Sequence, residues 1–117
     1  MKDVVRRAYL LDFYGPLLTE KQREIYEWYY QQDLSLGEIS EFADVSRNAV
    51  FDLISRTDEK LERYERVLGL IEAGQRREKE KEELASSFDR WMGENARRLD
   101  RESGNELNAL IKRIGAL

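Results

Sequence analysis

The segment from Leu34 to Arg56 has the pattern of two short helices joined by a tight turn. Ser35 and Ser46 stand where each helix would begin, and serine is among the best N-terminal capping residues. Apolar residues recur at helical spacing on both sides of the turn, as a shared small core requires. They are Ile39, Phe42 and Ala43 in the first helix, Val45 in the turn, and Val50, Leu53 and Ile54 in the second. This spacing predicts a helix-turn-helix.

One local signal favours that motif and another weakens the match. Ser35 and Glu38 have the spacing of a capping box, in which each side chain bonds to the backbone N–H of the other residue. Asp44 occupies the turn position at which many helix-turn-helix proteins have glycine, because the backbone φ there tends to be positive. Aspartate is among the few other residues that tolerate that region, so Asp44 weakens the match without breaking it.

Two further helices are predicted before the motif. The segment from Lys2 to Tyr14 carries apolar residues at three- and four-residue spacing. Gly15 and Pro16 are expected to end this helix, with Gly15 in the left-handed C′ conformation. Thr19 and Gln22 have the spacing of another capping box, which predicts the start of the next helix.

That next helix has more large side chains than one helical face can bury. Five of the six residues 25–30 are large apolar or aromatic residues. One interpretation is a central helix packed on two sides. The alternative is an aromatic platform on which nucleic-acid bases stack.

The second helix of the motif is predicted to continue far beyond the length of a recognition helix. Helical phase is kept by Val50, Leu53, Ile54, Leu61, Tyr64, Leu68 and Ile71. Only Gly69 interrupts this series before Gly74. An unbroken helix from Arg47 to Ala73 would be roughly 40 Å long at about 1.5 Å per residue. Its far end would need to be covered by the carboxy-terminal segment or by a second chain.

The carboxy-terminal segment starts with a charged run. Residues 75–83 contain no apolar side chain, which indicates a solvated helical face or a short linker, with a charged docking site as the alternative. Helical phase then returns with Leu84, Phe88, Trp91, Met92, Ala96 and Leu99. Residues 103–105, Ser-Gly-Asn, are predicted to break the chain before a last amphipathic helix. That helix carries Leu107, Leu110, Ile111, Ile114 and Leu117.

These elements predict an all-α fold. We expect a helix-turn-helix bundle without a wing and with one long helix. The predicted domains are a helix-turn-helix domain at residues 1–74 and a helical extension at residues 75–117. The extension would pack on the same core or on a dimer partner.

The composition disfavours enzymatic function. The chain has neither histidine nor cysteine, so it lacks the commonest general base, the commonest metal ligand and thiolate chemistry. Carboxylate neighbours such as Glu62 and Glu65 are expected by chance among 24 acidic residues. We therefore expect no catalytic site, no cofactor and no metal. The absence of a signal-peptide pattern or of a long apolar run predicts a soluble cytoplasmic protein without membrane contact.

The outward face of the second motif helix is the predicted nucleic-acid-binding site. In a helix-turn-helix, side chains near the start of that helix enter the major groove. Here they are Arg47, Asn48, Phe51, Asp52, Ser55 and Arg56. Arg47 can contact guanine or phosphate, and Asn48 can pair with adenine. Asp52 would face phosphates unless it pairs locally, for instance with Arg56.

The charge of the chain does not favour that site. The net charge is −4, and residues 35–56 contain four acids and two bases. Phosphate contacts normally supply much of the affinity for nucleic acid. The bases that could add such contacts lie elsewhere: Lys2, Arg6, Arg7, Lys21 and Arg23, and later Arg97, Arg98, Arg101, Lys112 and Arg113.

Several segments resemble known families. Residues 17–61 resemble region four of bacterial sigma factors, through Leu-Thr-Glu-Lys-Gln-Arg (18–23), Leu-Gly-Glu-Ile-Ser-Glu (36–41) and Val-Ser-Arg-Asn-Ala-Val (45–50). Over nearly the whole chain the sequence is more similar to the YlxM family of helix-turn-helix proteins. The matching segments are Tyr-Gly-Pro-Leu-Leu-Thr (14–19), Val-Ser-Arg-Asn-Ala-Val-Phe-Asp-Leu-Ile-Ser-Arg-Thr (45–57) and Leu-Gly-Leu-Ile-Glu (68–72).

The second resemblance implies a bacterial cytoplasmic protein, often encoded beside the GTPases of the signal recognition particle, with a regulatory role in that pathway. It supplies no catalytic residues. Two hypotheses follow. The first is a regulator that binds DNA or the RNA of the particle. The second is an interaction module that docks on the particle's GTPase without reading nucleic acid. The apolar faces of the two last helices predict a homodimer in either case.

Overall fold

The structure, a computed structural model, describes residues 3–117, and within that range every regular element is helical. Met1 and Lys2 lie outside the described residues. Lys2 is both the predicted start of the first helix and one of the predicted phosphate-binding bases. The chain forms two compact units, one up to Glu72 and one from Ala73 to Leu117. The all-α fold is confirmed.

Unit 1 is built from four helices and the start of a fifth. They are α1 (Val4–Tyr14), α2 (Glu20–Tyr30), α3 (Leu36–Ala43), α4 (Arg47–Leu68) and the first residues of α5 (Leu70–Asn95). A single core of ten buried apolar side chains joins them. Its members are Leu10, Leu11, Tyr14, Ile25, Tyr26, Ile39, Val50, Ile54, Leu61 and Ile71.

The end of α1 differs from the prediction at Gly15. Its φ is −51°, in the right-handed region, and the chain continues as a 3-10 turn over Gly15–Leu17. Pro16 suits this turn because its fixed φ fits the first helical positions. A Cβ at Gly15 would lie 3.4 Å from Leu11 Cδ1 and 3.5 Å from Arg23 Cζ. Both are ordinary van der Waals distances to side-chain atoms, so the structure requires glycine here neither for a left-handed backbone nor to avoid a clash.

The aromatic helix α2 is a packed helix. Thr19 and Gln22 form the predicted capping box. Ile25 and Tyr26 are buried, and the other three large side chains of residues 25–30 are half-buried. The ring of Trp28 lies 6.0 Å from that of Phe42 in α3. These contacts agree with packing on two sides and leave no open platform for stacking bases.

The predicted long helix is present as α4, but it ends at Leu68 and does not run unbroken to Ala73. Gly69 has a φ of 61° and donates its N–H to the carbonyl of Glu65, as a left-handed C-terminal cap does. The cover for the second half of α4 is α1, which the sequence did not indicate. Leu61 is fully buried, and the ring of Tyr14 lies 5.8 Å from that of Tyr64.

Unit 2 contains most of α5, a 3-10 turn at Ala96–Arg98 and α6 (Arg101–Gly115). The charged run of residues 75–83 is helical throughout. The predicted break at residues 103–105 was wrong, because Asp100 caps α6 by accepting a 2.6 Å hydrogen bond from the Ser103 N–H. Of residues 73–117, all of which are described, none is buried.

Candidate nucleic-acid interface

The first helix of the motif, α3, begins as predicted. Ser35 Oγ accepts a 3.1 Å hydrogen bond from the Glu38 N–H, and Glu38 Oε1 accepts a 3.2 Å bond from the Ser35 N–H. Two of the backbone N–H groups that a helix leaves unpaired at its start are thereby satisfied. Ile39, one residue further, is fully buried and anchors α3 to the core of unit 1.

The turn between α3 and α4 has the geometry that Asp44 predicts. Asp44 adopts φ 55° and ψ 44°, in the left-handed region. Ser40 Oγ donates to the carbonyl of Val45, and the Val45 N–H donates to the carbonyl of Ser40 at 3.3 Å. Ser46 Oγ then accepts a 3.0 Å bond from the Ala49 N–H and starts α4. The turn and both caps fix the direction in which α4 leaves α3.

The buried face of α4 decides which of its side chains point outward. Val50, Ile54, Thr57 and Leu61 are buried on one face. Five of the six predicted site residues are exposed, namely Arg47, Asn48, Phe51, Asp52 and Arg56, whereas Ser55 is half-buried. Phe51 is 57% exposed, which is unusual for an aromatic side chain in the middle of a packed motif. The first three turns of α4 thus present a mixed polar and aromatic surface.

Arg47 lies beside the start of α3. Its Nε is 3.9 Å from the position that a Cβ would take at Gly37. The Arg47 side chain therefore lies within van der Waals contact of the first turn of α3. This places a guanidinium group at the edge of the surface that the start of α4 presents.

Asp52 and Arg56 line a shallow groove between α2 and α4. Gln22, Ala49 and Leu53 complete its lining. Within residues 3–117 the structure has no ion pair between Asp52 and Arg56, so the predicted local pairing does not occur. Gln22 was missed as a groove residue because the sequence indicated only its capping role. Its Oε1 also lies 3.4 Å from Lys60 Nζ, a contact between residues 38 positions apart that no local pattern predicts.

Three of the predicted phosphate-binding bases pair with carboxylates. Arg23 pairs with Glu27 within α2 at 2.9 Å, whereas Arg6 and Arg7 pair with carboxylates of α4. Arg6 Nη2 lies 2.8 Å from Glu62 Oε2, and Arg7 Nη2 lies 3.1 Å from Glu62 Oε1. Arg7 Nη1 lies 3.3 Å from Asp58 Oδ1. The hydrogen bond from Arg6 lowers the pKa of Glu62, against the opposing effect of burial. Arg6 and Arg7 bind α1 to α4, and their positive charge is largely offset by α4 carboxylates.

Asp58 also accepts hydrogen bonds from two tyrosines of α2. Tyr26 donates to Oδ1 at 2.5 Å, and Tyr30 donates to Oδ2 at 3.0 Å. Burial, reinforced by the Asp58 charge, raises the pKa of Tyr30 to about 12 and raises that of Tyr26 as well. Both hydroxyls therefore remain donors at neutral pH. This network fixes α4 against α1 and α2, and thereby fixes the orientation of the candidate interface.

Glu65 is a structural carboxylate at the junction of α4 and α5. It accepts hydrogen bonds from the Tyr14 hydroxyl at 2.6 Å and from the Ile71 and Glu72 N–H groups at 3.0 and 3.2 Å. Burial acts to raise the pKa of Glu65, but these bonds outweigh it and the pKa lies below its usual value. Glu62 is thus an ion-pair partner of Arg6 and Arg7, and Glu65 caps the start of α5. The described part of the chain has no cluster of metal-ligating side chains.

None of the helices within residues 3–117 has the length and apolar character needed to cross a bilayer.

The comparison with protein families gives a match over residues 1–97 to the family described as "UPF0122: Putative helix-turn-helix protein, YlxM / p13 like".

Several curated relatives carry the same family name. UPF0122 protein STH1464 of Symbiobacterium thermophilum is 50% identical over 90 residues, which cover 77% of this chain and 84% of that protein. UPF0122 protein GK1195 of Geobacillus kaustophilus is 42% identical over 117 residues, which cover 100% of this chain and 98% of the relative. UPF0122 protein BH2485 of Halalkalibacterium halodurans is 41% identical over 113 residues, which cover 97% and 94%. The chain therefore belongs to the UPF0122 family of YlxM / p13-like helix-turn-helix proteins.

Proposed function

We propose that this protein is a cytoplasmic DNA-binding regulator in which the first three turns of α4 enter the major groove of duplex DNA. One observation carries the proposal. The start of α4 exposes five polar or aromatic side chains on one face while its opposite face is held in the core of unit 1. A helix that is presented in this way behind a capped turn is the element that helix-turn-helix proteins insert into DNA.

The side chains supply a set of contacts with different roles. Arg47 can donate a bidentate pair of hydrogen bonds to guanine or bind a phosphate, and Asn48 can bind adenine in the same bidentate manner. Phe51 can contact the methyl group of thymine. Arg56 lies one to two turns further along α4 and is placed for a phosphate of the groove edge.

Duplex DNA fits these contacts better than duplex RNA. The major groove of B-form DNA is wide enough for an α-helix, whereas the A-form major groove is deep and too narrow for one. Thymine also has the methyl group that Phe51 would contact, and uracil lacks it. Binding of the signal recognition particle RNA, which the family resemblance suggests, would have to use another surface or an unpaired loop.

The charge of the motif predicts a modest contribution from phosphates. Arg6 and Arg7 are paired with carboxylates, and Arg47 and Arg56 are the only bases between residues 35 and 56. Few counterions would be released on binding, so the affinity should depend only weakly on salt. Base contacts would then carry a large share of the binding.

A salt-series titration tests the proposal. The probe is a duplex selected by the wild-type protein from random-sequence DNA, and binding is measured by fluorescence anisotropy. The double variant Arg47→Ala with Arg56→Ala should bind more weakly, and its logarithmic salt slope should fall by about 2 if each arginine contacts one phosphate. Arg63→Ala, at an exposed position further along α4, is the control and should leave the slope unchanged. Unchanged affinity and slope in the double variant would reject groove binding.

A protein-docking function is the second candidate. It is favoured by the carboxylate of Asp52 in the middle of the proposed interface and by the exposed rings of Phe42 and Phe51, which are 67% and 57% exposed. In this alternative the surface binds a protein, and the GTPase of the signal recognition particle is the partner that the family resemblance suggests. Binding of the GTPase that is lost in Phe51→Ala, together with no selectable DNA, would favour this candidate.

A further inference from the structure

The last helix, α6, has apolar side chains on two sides. Leu107 and Ile111 are half-buried and belong to the inner side. Leu110 and Ile114 of α6 are 47% and 54% exposed, and Leu117, two residues beyond its end, is 89% exposed. A helix that leaves such a stripe in water loses the burial that normally stabilises amphipathic helices. The stripe of Leu110, Ile114 and Leu117, called the α6 stripe below, therefore needs a cover.

Unit 2 does not supply that cover from within. It has no buried side chain, and it also leaves Leu84 and Trp91 of α5 exposed, at 66% and 45%. Unit 1, by contrast, buries ten apolar side chains. Exposed apolar residues that are grouped along one helix are typical of an association surface, whereas isolated ones are common on any protein.

The charges beside the α6 stripe show what kind of cover fits. At 3.6 residues per turn, Glu106 and Arg113 lie on the same edge of the stripe, on either side of Leu110 along the helix. Both are exposed. Lys112 lies on the other side of α6, away from this edge. The stripe therefore has one edge that is acidic in its first half and basic in its second half.

We infer that the α6 stripe is covered by the same stripe of a second copy of this chain, packed antiparallel about a two-fold axis near Leu110. In this arrangement Glu106 of each copy faces Arg113 of the other, so that one edge forms two ion pairs. A two-fold interface must be complementary to itself. The charge pattern of this edge meets that condition, because its acidic half faces the basic half of the other copy. The opposed helix dipoles also favour the antiparallel arrangement. The inference assigns a surface to the predicted homodimer and does not depend on DNA binding.

Sedimentation equilibrium of the full chain tests this interface. The wild-type protein should have the mass of a dimer at about 200 μM and dissociate on dilution. Arg113→Glu and Glu106→Arg should each raise the dimer dissociation constant about tenfold, because each change replaces two attractive pairs by two repulsive ones. Lys112→Glu makes the same charge change one residue away and should leave the constant within about twofold.

The two single variants also provide a test by mixing. An equimolar mixture of Glu106→Arg and Arg113→Glu should form heterodimers in preference to either homodimer, because both pairs are then attractive. The double variant with both changes should recover the wild-type constant. Circular dichroism should show the same helix content in all variants, because the positions are exposed.

Three results would overturn the inference. One is a wild-type chain that remains monomeric at about 200 μM. The second is a dimer that neither Arg113→Glu nor Glu106→Arg weakens. The third is a dimer that Lys112→Glu weakens as much as Arg113→Glu does. Recovery in the mixture and in the double variant would support it.

Discussion

Unit 1 and unit 2 are both helical and both amphipathic, yet only unit 1 has a core. Ten apolar side chains are buried among its helices, and none is buried between Ala73 and Leu117. Unit 1 combines helices that approach from different directions, so its apolar faces cover one another. The difference shows that amphipathic helices alone do not predict a self-sufficient unit, because a stripe stabilises a fold only when another element covers it.

The ion pairs also differ between the units, because several of those in unit 1 join different helices. In unit 1, Arg6 and Arg7 pair with Asp58 and Glu62 over more than 50 residues of sequence. In unit 2, Lys81 pairs with Glu78 of the same helix at 3.5 Å. Long-range pairs hold helices together, whereas pairs within one helix add only a few tenths of a kcal/mol to that helix.

The largest expected difference comes from deleting the same side chain in each unit. Leu61→Ala should lower the free energy of unfolding by about 3 kcal/mol, because Leu61 is fully buried and the deletion leaves a cavity. Leu84→Ala should cost less than about 1 kcal/mol, because Leu84 is 66% exposed. Urea denaturation of both variants measures the two values. Equal losses would contradict the division into a packed unit and an unpacked one.

The next largest difference comes from removing one carboxylate. Asp58→Ala should destabilise the protein by about 2 kcal/mol, because it leaves Arg7, Tyr26 and Tyr30 without their shared acceptor. Glu82→Ala in the exposed charged run should change stability by no more than about 0.5 kcal/mol. The same denaturation assay applies. A neutral Asp58→Ala would show that the network does not orient α4.

Two glycines should respond to alanine with opposite signs. Gly69→Ala should destabilise by about 1 kcal/mol, because the backbone there has a φ of 61°, which is unfavourable for alanine. A Cβ at this position would meet no atom within 4 Å, so the loss would come from the backbone and not from a clash. Gly93→Ala lies inside α5 and should stabilise by up to about 1 kcal/mol through helix propensity. Thermal unfolding followed by circular dichroism gives both signs. Destabilisation by Gly93→Ala would contradict the open surroundings of α5.

The smallest expected effect is a dependence on acid pH that is specific to unit 1. The pKa values of Glu62 and Glu65 are lowered in the fold, so their contribution to stability is complete above the ordinary value of 4.5 and is lost as the pH falls through the lowered values. Glu65→Gln should reduce the loss of stability on acidification below about pH 5. Glu80→Gln in the charged run of α5 is the matched control. An unchanged acid profile in Glu65→Gln would remove this role of Glu65.

Local signals predicted the caps and the turn of the helix-turn-helix. The caps and the turn depend on hydrogen bonds and backbone angles within four residues along the chain, so the sequence spacing determines them. The residues concerned are Ser35, Glu38, Asp44 and Ser46. The exposure of Arg47, Asn48, Phe51, Asp52 and Arg56 followed from the helical phase of the apolar residues. That these residues contact nucleic acid remains a prediction.

The remaining features depend on contacts that sequence spacing does not reveal. The ion pairs of Arg6 and Arg7 join residues from two helices, and the cover that α1 gives to α4 is equally non-local. Gly15 was expected to be left-handed, but its φ is −51° because the chain continues into a 3-10 turn. The start of α6 was placed too late because Ser-Gly-Asn at residues 103–105 was weighted above the capping signal of Asp100.

Amide chemical-shift mapping of the full chain with a selected DNA duplex tests the central claim most directly. The largest shifts should fall on residues 47–56 at the start of α4, and residues 63–68 at its end should change little. Arg47→Ala should reduce those shifts without altering the spectrum of the free protein beyond its neighbours. Shifts concentrated in α1, in the second half of α4 or in unit 2 would contradict the assignment of the start of α4 as the DNA-reading surface.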